Sequence, residues 1–478
     1  MVLDGNHHEQ ARSAFRRLSC TVMLQIKPLL ASVMVLGAFS AQAMDLMEAW
    51  QATRQHDPQS AVSQAARQAG ETRRTQAASL WRPAVILSAS AGRMTGETEM
   101  AGAHFSAPGL GQSDGVGFAT SVDNGTSTRW TLSARQPLFN LERKAQGRQL
   151  ELAADVAELE WQSAQQDLML QTTQRYFDVL LVTNKLDLLR QQQKAVELAL
   201  TEAKDRFALG DKPVTDTHEA SARAHALRAQ VLATQDELAL VQAALADATG
   251  VANPALQSLA GNANVLPVNL QSLTHWLAEV SEKNLQLGMQ SAAVQVAQQE
   301  VAKYSKAAAT TLDLVAQAGR DQLSGNGNFG SASNTASQQM IGLQLNLPLY
   351  TGGYRNAKQE EALRLQDKAS AELERAKQQI SQQTRAAWLA LQTGNARLLA
   401  LAESHQASAA RLDATRLGRQ VGDRTTLDLL QAETDASSAT LALLQARIEL
   451  LINQLRLHAL AGQLNEPALQ GVNALLQR

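Results

Sequence analysis

Gly325-x-Gly327-x-x-Gly330 has the glycine spacing of a dinucleotide fingerprint. In that chemistry a tight turn brings a pyrophosphate onto a helix N-terminus inside a βαβ unit. The surrounding text, QLSGNGNFGSASNTA over 322–336, supplies no helix after the glycines, so no nucleotide site is expected. His218 and His225 lie seven residues apart, two turns along one helical face, with no cysteine or third histidine beside them. They read as solvated helix residues rather than metal ligands. His7 and His8 lie near the N-terminus, and His56, His104, His275, His405 and His458 are scattered. There is no phosphate loop, no zinc spacing and no convincing setting for a nucleophile. The sequence therefore predicts no catalytic residue, no metal and no cofactor. What remains are two turns. RFALGDKPVTD (206–216) and GRQVGDRTTLD (418–428) each end a helical run with Gly-Asp and place another Asp five residues after the first. Carboxylates at Asp216 and Asp428 could cap the next helix or line a charged passage, and both readings stay open.

The elements that carry these turns follow from the prolines. No proline lies between Pro137 and Pro213, or between Pro348 and Pro467. Proline breaks helix interiors, so these gaps are where long helices fit. The apolar spacing predicts helix from Leu141 to Ala208, about 100 Å at 1.5 Å per residue, followed by a partner from Val214 to Thr249. The arrangement recurs at Asn356–Leu417 and Thr425–Ala461. Sustained apolar spacing over such lengths points to coiled coils. Gly210-Asp211 and Gly422-Asp423 then become the tips of two helical hairpins, with each glycine at the left-handed position that ends a helix. Composition agrees: aromatics are 4% and the chain is rich in Ala, Gln and Leu, the mix of long exposed helices. Mean hydropathy is −0.22 and net charge −2, which advertises no nucleic-acid surface.

Four short segments alternate with period two. Val85, Leu87, Ala89 and Ala91 oppose Ser88, Ser90 and Gly92, and Trp130, Leu132 and Ala134 oppose Arg129, Thr131, Ser133 and Arg135. Leu312, Leu314, Ala316 and Ala318 oppose Asp313 and Gln317, and Ile341, Leu343, Leu345 and Leu347 oppose Gly342, Gln344 and Asn346. Each reads as a strand with one apolar face. Hairpins lying on a soluble core give this pattern, and so do strands in a membrane barrel, which need about 9–11 residues. The Gly/Ser/Asn-rich stretches 96–126 and 322–336 read as mobile outer loops joining the pairs. The chain also repeats: Leu46 matches Leu273 and Gly92 matches Gly319 at a shift of 227, while Pro137 matches Pro348 at 211, so the first copy holds 16 extra residues.

KPLLASVMVLGAFSAQA over 27–43 has a cation, an apolar run too short to span a bilayer, and small residues at Ala41 and Ala43. It reads as a signal peptide over 1–43 cleaved before Met44, with Met23 an alternative start and Arg16-Arg17 a poor twin-arginine match. Cys20 lies before the apolar run, so the mature chain has no thiol. The expected organisation is a first repeat at 44–271 (strand hairpin 84–136, helical hairpin 140–250), a second at 272–462 (strand hairpin 311–348, helical hairpin 354–462), and a tail at 463–478. Four strands cannot close a barrel, so strands from several copies must be pooled, and three copies give twelve.

The duplicated plan, QPLFNLERKAQ with LPLYTGGYRNAK, ATGV after the first hairpin and VGDRTTLDLLQAET resemble the TolC family of outer-membrane efflux and secretion channels, over Met44 to about Gly462. The resemblance implies a homotrimer in the cell outer membrane and its lipid: a 12-stranded β-barrel, four strands per chain, continued into the periplasm by a coiled-coil α-helical barrel. It implies a passive duct opened at its tips by a periplasmic adaptor and an inner-membrane pump or ABC transporter, with no nucleic-acid partner. Thr215 and Asp216 match gate positions on the first tip, and Arg424 and Asp428 on the second. Arg424 is expected to pair with Asp216 of the neighbouring hairpin. Two positions depart from the family pattern: Arg419 stands where a gate Tyr is expected and Gln431 where an Asp is expected. Drug efflux and type I protein secretion both fit, and RFALGDKPVTDTHEASA is closer to the secretion type. The competing reading is a periplasmic coiled-coil adaptor or scaffold without membrane strands.

Overall fold

The computed structural model describes residues 43–109, 111–211, 213–260, 270–328 and 330–476. The chain divides into two units, Met1–Ala43 and Met44–Arg478. The expected signal peptide therefore lies, apart from Ala43, outside the described residues. All that follows concerns the second unit.

Helices α1 (Leu46–His56) and α2 (Pro58–Ser79) lead into strands β1 (Ala84–Ala107) and β2 (Gly111–Asn140), then the long helices α3 (Leu141–Ala208) and α4 (Val214–Thr249). The order then runs α5 (Leu273–Lys283), α6 (Leu285–Lys303), β3 (Thr311–Gly327), β4 (Gly330–Asn346), α7 (Tyr354–Gln420), α8 (Thr426–Leu460) and α9 (Glu466–Asn473). The caps explain several boundaries. Asp57 ends α1 and caps α2, where Pro58 takes the first helical position that tolerates a missing N–H. Asn284 makes the same joint between α5 and α6, accepting from the Leu287 N–H at 3.0 Å. Asn140 turns β2 directly into α3 by accepting from Arg143 N–H at 2.9 Å.

The strands form one antiparallel meander, β1-β2-β3-β4. They are longer than expected. The stretches 96–126 and 322–336, read as loops, are mostly ladder: Glu97 pairs with Ser121, and Gln322 with Thr335. The correction has a simple cause. Small and polar residues dominate both faces and the scattered apolar ones, such as Met100 and Val122, leave no period-two signal, yet the ladder needs only backbone partners. The glycines of the dinucleotide-like motif have a structural use in this ladder. A Cβ on Gly327 would lie 1.8 Å from the Ser121 carbonyl oxygen, and one on Gly325 2.7 Å from the Gly125 Cα.

Below the sheet, α3 packs between α2 and α6, α6 meets α7, and α4 and α8 pack on α3 and α7. The main core lies where α1, α5 and α9 fold over the long helices. Trp50, Tyr176, Phe177, Leu450, Leu451 and Leu455 are buried there. The Tyr176 hydroxyl donates to the Gln257 carbonyl at 2.9 Å and lies 3.1 Å from that of Met44. Burial, then the nearby Asp45 charge, raises its pKa. In the expected C-terminal tail, 463–478, Leu469 and Val472 are buried, and Leu476 bridges to Leu259.

The α2–α3 crossing depends on Gly70. A Cβ there would lie 2.2 Å from the Ala157 Cβ. Arg67 and Arg74 brace the same crossing through Glu158 and Asp155, each at 2.6 Å, with the Arg67 guanidinium 4.2 Å from the Trp161 ring centroid. Gly70→Leu is expected to cost about 1–3 kcal/mol by overpacking. Thermal unfolding followed by circular dichroism checks this, with Gly471→Ala, which has open space around it inside α9, as a comparison expected to be neutral to slightly stabilising.

Candidate functional site

The ladder puts all four predicted apolar faces on one side. Val85 opposes Ala134, Ala134 opposes Ala316, and Ala316 opposes Ile341. The adjacent rows run Leu87, Leu132, Ala318 and then, towards the helices, Leu314 against Leu343 and Leu312 against Leu345. Ile341, Leu343 and Leu345 are 76%, 68% and 64% exposed, far too open for strands resting on a core within this chain. The opposite face carries Ser88, Thr131, Gln317 and Gln344, with Arg129 paired to Asp321 and Arg135 to the buried Asp313. Ile86 and Met340 are apolar exceptions on that polar face.

The apolar face has two ends. Trp130 and Arg320 sit directly opposite one another at the far end, and Phe139 opposes Leu312 at the helix end. From Leu312 to Arg320 is about 26 Å along a strand, close to the ~25 Å apolar band of a membrane barrel, flanked as there by aromatic and cationic side chains. Within the chain, β1 and β4 are each paired on one side only. No described helix is long and apolar enough to cross a membrane, and no described cluster of His, Cys, Asp or Glu could hold a metal. His218 and His225 are exposed on α4.

The two tips lie at the other end of the helices. Gly210 and Gly422 take φ of 76° and 85°, a left-handed conformation that L side chains rarely adopt. The Asp211 N–H donates to the Arg206 carbonyl at 2.9 Å and the Asp423 N–H to Gly418 at 2.8 Å, so both helices end in the same way. A cavity of about 870 Å³ separates the tips, lined by Glu202, Arg206, Asp216, Arg419, Asp423 and Arg424 among others.

The predicted residues divide: Asp216, Arg419 and Arg424 line this cavity, whereas Thr215 and Asp428 do not. Asp428 is a cap: its carboxylate accepts from the Thr425 N–H and hydroxyl, both at 2.9 Å, while Thr425 accepts from the Asp428 N–H at 3.1 Å. The Thr425 backbone bond, then its hydroxyl, holds the Asp428 pKa below the ordinary value. Asp216 lies in the first turn of α4, whose N-cap position is held by Pro213 without a side-chain cap, and Thr215 is exposed beside it. Arg424 and Asp216 form no ion pair within the described protomer. The Arg424 side chain lies instead against Gly418 and contributes to the field at Asp428. The tie between hairpins falls to another pair. Glu202 of α3 accepts from Arg419 of α7 and also from Arg206 at 2.9 Å. Glu202 was not singled out in the sequence, where nothing marks a partner 217 residues away. Gln431 donates to Asp435 at 2.8 Å, and Asp435 also pairs with Arg411 at 2.7 Å.

The family model for outer membrane efflux proteins matches residues 49–251 and 276–463. Outer membrane protein TolC of Escherichia coli is 27% identical over 464 residues, covering 95% of this chain and 90% of that protein. The proteases secretion protein PrtF of Dickeya chrysanthemi is 28% identical over 455 residues, covering 94% and 95%. The fold is shared with the Campylobacter jejuni CmeC outer membrane channel, with TM-score 0.70, 14% identity, and 91% and 90% of the two chains covered. It is shared too with the outer membrane protein VceC of Vibrio cholerae, with TM-score 0.65, 18% identity, and 88% and 97% covered.

Proposed function

This chain belongs to the outer membrane efflux protein family, whose members are outer-membrane transport channels rather than enzymes, and from that premise we propose that it is the trimeric exit duct of a tripartite efflux or type I secretion system. The observation that carries the reading is the four-stranded sheet with two unpaired edges, one face bare and apolar, the other polar and ion-paired. Open edges are not tolerated in lipid. Two copies would give eight strands, a barrel just wide enough to be filled by its own side chains. Three give twelve, enough for a passage. The apolar face then meets outer-membrane lipid, and the helices continue the wall into the periplasm. A scaffold without membrane strands has no use for such a face.

In this reading the hairpin tips are the periplasmic gate, formed by Thr215, Asp216, Arg419, Arg424 and Asp428 at the turns Gly210-Asp211 and Gly422-Asp423. A periplasmic adaptor and an inner-membrane pump or ABC transporter would dock there and draw the tips apart. The relatives named for protease secretion, PrtF of Dickeya chrysanthemi and AprF of Pseudomonas aeruginosa, support the secretion branch. The decisive measurement is native mass in detergent alongside planar-bilayer recording. Three chains per conducting particle are expected. A conducting monomer or dimer would overturn the pooled barrel.

A further inference from the structure

Where the helices meet the sheet, a groove of about 600 Å³ is lined by Arg74, Trp81, Lys144 and Arg148, with Ala77, Leu141, Ala145 and Ala302 among its apolar walls. It holds three cations against one lining carboxylate, Glu151. Arg74 is paired with Asp155 at 2.6 Å and Arg148 with Glu151 at 2.9 Å, both pairs largely exposed, while Lys144 has no ion-pair partner among the described residues. We propose that this groove binds the phosphate headgroup of an anionic glycerophospholipid in the inner leaflet of the outer membrane. The assignment rests on the sheet being a barrel wall with its apolar face in lipid.

Chirality places the groove on the lipid side. Gly327 and Gly330 are ladder partners where β3 ends and β4 begins, with two residues between them in sequence, the spacing at which the closing pair is hydrogen-bonded. By parity Gly327 shares the polar face with Asp313 and Gln317. In an upward strand of L-residues, seen from the side its side chain faces, a residue's own N–H and C=O point right. Seen from the polar face β4 therefore lies to the right of β3, and from the apolar face to the left. The helices continuing these strands follow the same order, with α6 left of α3 and α2 right of it when seen from the apolar side. On α3, Gln149 donates to Val296 and Glu300 of α6, whereas Gly147 lies against Ala77 and Leu80 of α2. At 3.6 residues per turn, Leu141, Lys144 and Arg148 fall between these flanks on the side continuous with the apolar face.

The depth fits as well. Leu141 directly follows β2, two residues beyond Phe139 in the lowest apolar row. Lys144 and Arg148 lie about 5 and 10 Å further down α3. The headgroup layer begins at the edge of the hydrocarbon and is roughly 5–8 Å deep, and a long cationic stem can reach up into it. Trp81 stands at the same boundary, where amphipathic rings settle. A lipid with its acyl chains along Val85, Leu132 and Phe139 would thus meet cations where its phosphate lies. Basic pockets of this kind favour anionic over zwitterionic headgroups.

The test is native mass spectrometry of the full mature protein, titrated separately with phosphatidylglycerol, phosphatidylethanolamine and sn-glycerol-1-phosphate. Wild type should retain up to one phosphatidylglycerol per chain, at about fivefold higher occupancy than phosphatidylethanolamine. Lys144→Glu and Arg148→Glu should each remove most of that preference, and Lys204→Glu, near the first tip, should leave it intact. Equal retention of the two lipids by wild type overturns the proposal without any variant. So does unchanged preference in Lys144→Glu/Arg148→Glu, or equal binding of sn-glycerol-1-phosphate, which would make the groove a site for free anions. The oligomeric state in the same spectra reports separately on the pooled barrel.

Discussion

Arginine at Leu343 or Leu345 is expected to cost about 2–4 kcal/mol per chain near the bilayer midplane, falling towards the interfaces. Both leucines stand on the apolar face, opposite Leu314 and Leu312, with no side chain of their own protomer covering them. A guanidinium there must leave water for hydrocarbon or deform the bilayer to avoid doing so. The proposed trimer would carry the substitution three times, so the loss should be visible as failure of the assembled protein to resist heat and detergent. Gln344 lies between the two leucines on the other face, opposite Asp313. Gln344→Arg keeps its charge in the aqueous interior, close to a carboxylate, and should be nearly neutral. Semi-native gel electrophoresis over a temperature series compares the three variants directly. Equal damage at all three would show that the two faces are not separated by lipid and water.

The contrast between Leu343 and Gln344 was legible in the sequence because period two survives wherever one face is apolar. The same rule explains what was not legible. Beyond Gly92 and Gln322 most residues turn polar or small and the few apolar ones, such as Met94, Met100 and Leu323, are too sparse to alternate, so nothing in the text distinguishes a ladder from a loop, although the backbones pair as far as Ala107 and Gly327. The long helices were readable nearly to the residue: α3 and α4 run as expected because Asn140, Pro213 and Gly250 mark their ends. At the tips the turns were readable from Gly-Asp, but the partners of charged side chains were not. Local spacing reveals pairs such as Glu202 with Arg206 at i, i+4. It carries no sign of Glu202 with Arg419, 217 residues apart, which exists only because the two hairpins pack side by side.

That last pair leads to the strongest expected effect on transport. Replacing Arg419 by Ser should raise the leak conductance of the closed channel. Glu202 belongs to the first hairpin and Arg419 to the second, so their bond survives only while the two tips remain adjacent. Its side chains are 27% and 32% exposed, so it is neither fully screened nor fully buried. Such a pair contributes about 0.5–1 kcal/mol, and three would act together in the proposed trimer. Losing all three would shift the ratio of open to closed tips about tenfold to a hundredfold. Glu202→Gln should do the same, and the double variant should add little to either single one, because both changes remove one interaction. Glu202→Arg combined with Arg419→Glu should recover part of the closure, although Arg206 would then face a like charge across one helical turn. Asp428→Ala offers a contrast in the same single-channel recordings. It removes a carboxylate that Thr425 keeps ionised below the ordinary Asp range, so it should weaken cation selectivity and multivalent-cation block down to acidic pH while leaving the tie in place. If Arg419→Ser conducts like wild type while Asp428→Ala leaks, closure depends on the second hairpin's own cap, and the Glu202–Arg419 pair is a surface contact without a gating role.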